Sequence, residues 1–225
     1  MSRIDDLIRE HCPDGVEHKT LGEIGELVRG NGMPKTDFTE TGTGAIHYGQ
    51  IYTYYGTWAT KTISFVSSET AARLAKVDPR DIIITNTSEN LEDVCKSVAW
   101  LGDSQIVTGG HATVLKHNQD SKFISYWLQS PAFQTQKKKL PTGTKLFDVP
   151  AKSLATVRTP VPPLEIQREI VKVLDTFTKL EAELEAELEA RRRQYTYYRD
   201  ALLTFSERSD SASKQASKHT MDDVE

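Results

Sequence analysis

Residues 161–175 read VPPLEIQREIVKVLD, and the chain runs on to residue 205 without a glycine or another proline. Pro162 and Pro163 suit the entrance of a helix, where the first N–H groups have no intrahelical partner. Apolar and aromatic side chains then recur at Ile166, Ile170, Val173, Phe177, Leu180, Leu184, Leu188, Tyr195, Tyr198, Leu202 and Phe205, with Arg191 in one place of the seam. The steps alternate between three and four, with one stutter at residues 180–188, as in a heptad seam. One helix over residues 164–205 would be roughly 60 Å long. A domain of this size cannot cover such a seam along its whole length, and no second long helical pattern occurs in the sequence, so the seam calls for another chain; the alternative is a broken helical hairpin packed on the core.

The preceding 160 residues read as one globular domain. Hydrophobic residues make up 37% of the chain and charged residues 27%, which suits one core plus a solvated, elongated segment. KTISFVS, DIIITNT, KSVAWLG and HATVLKH read as strands, and GAIHYGQIYTYYGTW (residues 44–58) reads as an alternating, tyrosine-rich stretch. SETAARLAK and SKFISYWLQSPAFQTQKKKL read as helices, the second broken or restarted at Pro131. HKTLGEIGELVRG fits either a short helix or a strand. Strands and helices interleave without a regular βαβ rhythm, so the fold class is α+β. The expected division is a domain over 1–160, a long helix over 161–206 and a polar, disordered tail over 207–225.

The net charge is −4, but residues 1–162 hold 18 basic and 18 acidic side chains and are neutral. Residues 134–160 concentrate Lys137, Lys138, Lys139, Lys145, Lys152 and Arg158 against Asp148 alone. Cys12 and Cys95 form neither a disulfide framework nor a metal spacing, and the six histidines form no helical ligand pair. Residues 1–10 are too charged for a signal peptide, and no apolar run approaches a membrane span. A reducing cytosol is the expected compartment. The sequence shows no catalytic set and no phosphate-cradling loop. His111, in TGGHATV, reads as a structural or surface histidine at a turn.

What remains is a binding surface. His47, Tyr48, Gln50, Tyr52, Tyr54 and Tyr55, with the polar cap Asn86, Thr87 and Ser88, supply groups suited to base edges. Lys137, Lys138, Lys139, Thr142, Thr144 and Lys145 suit phosphates, which fix register. Each set also has a plainer reading: half-buried sheet packing for the tyrosines, a solvated helix end for the lysines. Within the long helix, Glu187–Arg191 and Glu189–Arg193 are i, i+4 pairs in the favourable order. A parallel pair of helices would set the glutamate row beside its copy. An antiparallel pair centred near residue 190 would set Glu187 near Arg193 of the mate, a small gain for exposed charges.

TPVPPLEIQREIVKVLDTFTKL followed by ELEARRRQYTYYRDALLTF resembles the helical region of type I restriction–modification specificity subunits. CPDGVEHKTLGEIGELVRG, DIIITNTSE and TGTKLFDVPAKSLATVRTPVPPL are similar to that family's other landmarks, so the resemblance covers about residues 10–205. It implies a non-catalytic subunit of a host-defence system, whose target recognition domain reads half of a bipartite DNA site. The helix would act as spacer and docking surface for modification methyltransferase subunits. S-adenosylmethionine would then belong to the methyltransferase, and ATP and Mg to a restriction motor subunit if one joins, with no cofactor in this chain. Members of that family have two recognition domains and two helical regions. This sequence shows one of each, so the expectation is a homodimer through the long helix, reading an inverted repeat in double-stranded DNA. Two alternatives stand beside it: a coiled-coil adaptor that never touches DNA, and an inactive truncated subunit.

Overall fold

The computed structural model describes residues 3–143 and 145–205, which fall into two compact units, Met1–Leu174 and Asp175–Glu225. Thr144 and the tail expected at 207–225 lie outside the described residues.

The first unit is α+β and is built on two five-stranded sheets. In the first sheet the strands lie in the order Gly25–Arg29, Ala112–His117, Ile82–Thr85, Ser97–Trp100, Trp58–Ala59. All its pairs are antiparallel except the last. The second sheet runs Phe38–Thr39, Ser64–Val66, Thr43–Ile46, Ile106–Thr108, Ala75–Val77. The β-branched run Ile82–Thr85 sits at the centre of the first sheet with all four residues buried. Strand alternation sends Ile82 and Ile84 into one core cluster and Ile83 into another. The first cluster lies with the helices and includes Phe123, Ile124, Leu128, Phe133 and Leu154. The second joins the two sheets through Ile46, Ile51, Val98, Trp100, Ile106 and Val114. Each fully buried isoleucine contributes about 1.5–3 kcal/mol over an exposed one.

Local signals set the helices. Asp120 caps Ser121–Trp127, and Ser130 caps Pro131–Lys137 with Pro131 in its first turn, so the proline restarts the helix. HKTLGEIGELVRG contains both expected elements: strand His18–Thr20, helix Leu21–Ile24 capped by Thr20 and Glu23, then strand Gly25–Arg29.

The tyrosine-rich stretch departs from the alternating pattern. The strand ends at Ile46, and Tyr48–Thr53 is a helix. His47 caps it: its Nδ1 accepts from Gly49 N at 3.1 Å, while its own N–H donates to Gln50 Oε1 at 3.0 Å. Ile51 and Tyr55, four apart, turn inward together. That is helical periodicity, and it outweighs the alternation of the tyrosines.

The long helix spans Leu164–Leu203. Its first turns belong to the first unit, with Ile166, Gln167 and Val171 buried. Gln167 is the polar anchor. Its Nε2 donates to Pro162 O at 2.7 Å and Gln119 Oε1 at 2.8 Å, and its Oε1 accepts from Asp120 N at 2.9 Å. In the second unit the helix exposes Phe177, Leu180, Leu184, Leu188, Tyr195, Tyr198, Leu202 and, just past its end, Phe205.

Candidate nucleic-acid interface

Three neighbouring strands of the first sheet bring their loops to one end. Thr113 pairs with Arg29 and Ala112 with Thr85, so strands Gly25–Arg29 and Ile82–Thr85 finish where Ala112–His117 begins. The loops leaving that end are 30–34, 86–96 and 109–111. Gly30 fits there because a Cβ would lie 2.1 Å from Gly109 O, so only glycine lets the two loops approach.

Asn86 fastens the site from below. Its Nδ2 donates to Val149 O at 2.6 Å, its Oδ1 accepts from Thr113 Oγ1 at 2.9 Å, and its backbone N–H donates to His111 O at 2.8 Å. Thr87–Ser88 then pairs with Phe147–Asp148, and Thr142 and Asp148 exchange backbone hydrogen bonds. Thr142 and Phe147–Asp148 are thereby docked on the 86–88 turn. Arg29 Nη2 adds an ion pair to Asp148 Oδ1 at 2.9 Å.

On this platform sits an aromatic cluster. Tyr48 packs on His47 at 4.4 Å, on His111 at 4.7 Å and edge-on to Tyr52 at 6.5 Å. Tyr52 Oη donates to Thr87 O at 2.9 Å, and His111 Nδ1 lies 2.9 Å from Thr87 Oγ1. Burial pushes the Tyr52 phenol up to about 12, so it remains a donor through the physiological range. Burial, then the nearby Lys35 charge and His111, hold His47 below the usual imidazole range, which keeps it a neutral acceptor for its cap. His111 is exposed, while Tyr48 and Ser88 are half-buried. Together these rim residues offer rings, an imidazole and a hydroxyl to a ligand.

Of the residues expected to bind, the fold gathers His47, Tyr48, Gln50, Tyr52, Thr87, Ser88 and Thr142 around this end. Gln50 works within it, bonding His47 N and Ser64 Oγ. Six expectations need correction. His47 and Thr87 are buried, the first with its Nδ1 on Gly49 N and the second with its Oγ1 on His111 Nδ1, so both support the rim. Asn86 is fully buried and acts as a clamp. Tyr55 is buried, its Oη accepting from Ile63 N at 3.0 Å, so it belongs to the core. Lys137 is 2% exposed and its Nζ donates to Glu92 O at 2.7 Å. It follows Phe133 by four residues on the inward face of one helix, so no phosphate can reach it. Ile166 is buried against the first unit and leaves the exposed seam to residues further on. Lys138, Lys139 and Lys145 are exposed, and Tyr54 stands out at 63%. His111 joins the rim although its sequence context points to a structural or surface role. The glycine pair Gly109–Gly110 directly before it is a local signal of the turn that presents it. Among the described residues no group of three or more His, Cys, Asp or Glu converges as a metal site.

The family described as type I restriction modification DNA specificity domain matches residues 13–190, and this chain belongs to it. Over 99 residues the chain is 40% identical to the Escherichia coli type I restriction enzyme EcoR124I/EcoR124II specificity subunit, covering 38% of this chain and 22% of that protein. Over 160 residues it is 32% identical to the E. coli EcoprrI specificity subunit, covering 62% of this chain and 37% of that one. In fold it is similar to the HsdS subunit from Thermoanaerobacter tengcongensis, with a TM-score of 0.57 at 19% identity over 88% of this chain and 49% of that one. The S subunit from M. genitalium gives 0.51 at 16% identity over 81% and 44%. The matches thus span half the length of these relatives or less. No helix among the described residues is long and apolar enough to cross a membrane.

Proposed function

We propose that this chain is a DNA sequence-recognition subunit of a type I restriction–modification system, without catalytic activity of its own. The observation that carries the reading is the loop cluster at one end of the first sheet. There Tyr48, Ser88 and His111 form a rim suited to base edges, and exposed lysines at 138, 139 and 145 suit phosphates. The relatives named above are specificity subunits, which supports the same reading.

The apolar seam of the long helix, exposed at Phe177, Leu184 and Tyr195 among others, supports pairing with a second copy. Two copies related by a twofold axis present two identical recognition domains, so the target has two identical halves in inverted orientation. The paired helices also dock methyltransferase subunits, which bring S-adenosylmethionine; a motor subunit using ATP and Mg can join. The test is a methylation map of the source genome with and without the gene. Loss of a bipartite motif with identical inverted halves is expected. A lost motif with two different halves would replace the homodimer by a mixed pair, and an unchanged map in a strain with an active methyltransferase would overturn the reading.

A further inference from the structure

Two consecutive residues hold His111 in place. Asn86 N–H donates to His111 O at 2.8 Å, and Thr87 Oγ1 lies 2.9 Å from the ring nitrogen Nδ1. Tyr48 lies against the same ring at 4.7 Å, tilted by 49°. Thr87 is itself fixed: its carbonyl accepts from Tyr52 Oη at 2.9 Å, and its backbone pairs with Asp148. The imidazole is thus held through its backbone, at one nitrogen and against a neighbouring ring, while the residue as a whole is exposed.

Which nitrogen carries the proton follows from the hydroxyl of Thr87. Thr87 is 6% exposed, and among the described residues its hydroxyl has one hydrogen-bond partner, His111 Nδ1. A neutral imidazole has one N–H, and a hydroxyl has one hydrogen to donate. With the proton on Nδ1, the ring would donate to Thr87 Oγ1 and strand the buried O–H. With the proton on Nε2, the O–H donates to Nδ1 and no polar group is stranded. Leaving a buried donor unpaired disfavours the first form by about tenfold. The neighbours Tyr48 and Thr87 are uncharged, so neither holds the ring as a cation. Nε2–H itself has no acceptor among the described residues.

We infer that His111 determines specificity by presenting a fixed N–H donor to the major-groove edge of a guanine, and that Thr87 is the positioning residue that fixes the donor. The inference rests on the DNA-reading function proposed above and names the base that this part of the rim takes. A donor is refused by cytosine, whose edge carries only the N4 amino group. Adenine sets its N6 amino group beside N7, and thymine sets a methyl group beside O4. Guanine alone offers two adjacent acceptors, N7 and O6, with no donor between them. A phosphate oxygen is the other acceptor on a duplex. An uncharged ring suits it less well than the exposed ammonium groups of Lys138, Lys139 and Lys145 do. The geometry therefore divides the work: lysines for the backbone, a neutral imidazole for a base.

The test uses the full chain and the target duplex that the methylation map defines. NMR of the chain with isotope-labelled histidine nitrogens, without DNA, should show His111 protonated on Nε2 alone, its signals assigned by their loss in His111→Ala. Each guanine of the target is then replaced in turn by 7-deazaguanine, which lacks the N7 acceptor, or 6-thioguanine, whose sulfur accepts poorly. At one guanine position the wild-type chain should lose about fivefold in affinity for an analogue, while His111→Ala binds natural and substituted duplexes alike. Thr87→Val, which removes the O–H, should let the Nδ1–H form appear and weaken the response to the analogue; Thr87→Ser should restore both. A ring protonated on Nδ1 in the wild-type chain overturns the inference without any DNA measurement. So does full affinity for every analogue, or a response that survives His111→Ala. A response to a neutral methylphosphonate in place of one phosphate, lost in His111→Ala while no base analogue matters, assigns the contact to the backbone and overturns guanine reading while leaving the proposed function standing. A wild-type chain that binds target and unrelated DNA alike overturns the proposed function and this inference with it.

Discussion

Replacing Lys138 and Lys139 together by alanine should flatten the salt dependence of DNA binding, and replacing Lys137 should not. Both outer lysines are exposed just past the end of helix Pro131–Lys137. Each ammonium that neutralises a phosphate adds about 0.9 to the slope of log K against log salt, so the double variant should fall short by about 1.8. Lys137 differs because its ammonium lies inside, bonded to Glu92 O. Burial holds its pKa below that of an ordinary lysine. Lys137→Met keeps the stem and loses one hydrogen bond, so the slope should stay constant while stability falls by about 1–2 kcal/mol. For a chain of this size that lowers Tm by about 2–4 °C per kcal/mol. The assay is anisotropy of a labelled duplex carrying the target, titrated at several salt concentrations, beside thermal unfolding of each variant. An unchanged slope in the double variant, or a slope lowered by about 0.9 in Lys137→Met alone, would refute the division of the three lysines into one inner and two outer groups.

Three further outcomes are expected. Tyr48→Ala or His111→Ala should reduce preference for the target over unrelated DNA by about 1–3 kcal/mol with the salt slope unchanged, read in the same titration. Gln167→Ala removes three hydrogen bonds, one buried and two partly buried, at the start of the long helix and should cost about 3 kcal/mol in denaturant unfolding. His117 gives a pH dependence. Burial pushes its ring down to about 4, while Asp81 favours the charged form. Unfolded, the ring charges near pH 6.5, so the unfolded chain takes up the proton first. The stability is complete above about pH 6.5 and is lost toward pH 4, up to about 3 kcal/mol. His117→Asn, which retains an acceptor for Gln119 N, should unfold with a flatter pH profile.

The parts legible in the sequence are those whose signals are local. The proline gate and the seam define Leu164–Leu203, and a β-branched run defines the buried strand Ile82–Thr85. The helix Tyr48–Thr53 is obscured because Tyr48, Tyr52 and Tyr54 stand at even spacing. The decisive group is His47, a residue seldom read as a cap. Lys137 is hidden by its neighbours in a run of three, although Phe133 four residues earlier marks the inward face. The roles of Asn86 and Gln167 depend on partners far away in the chain. Asn86 binds Thr113 and Val149, and Gln167 binds Gln119 and Asp120, so no local pattern announces them. For the same reason the site's composition is more visible in the sequence than its arrangement.

The clamp at Asn86 also bears on how such a domain acquires a new target. It ties together segments 27 and 63 residues away, and every bond it makes is spent inside the fold. Ser88 and His111 stand at the rim above it, and the side chain of Tyr48 meets its neighbours there through ring contacts. Exchanging rim side chains leaves the hydrogen bonds of Asn86 intact, whereas a change at position 86 would strand Val149 O and Thr113 Oγ1 without their partner. If the rim reads the target as proposed, substitutions at a handful of rim positions would change what is recognised, while the mounting beneath them keeps its fold.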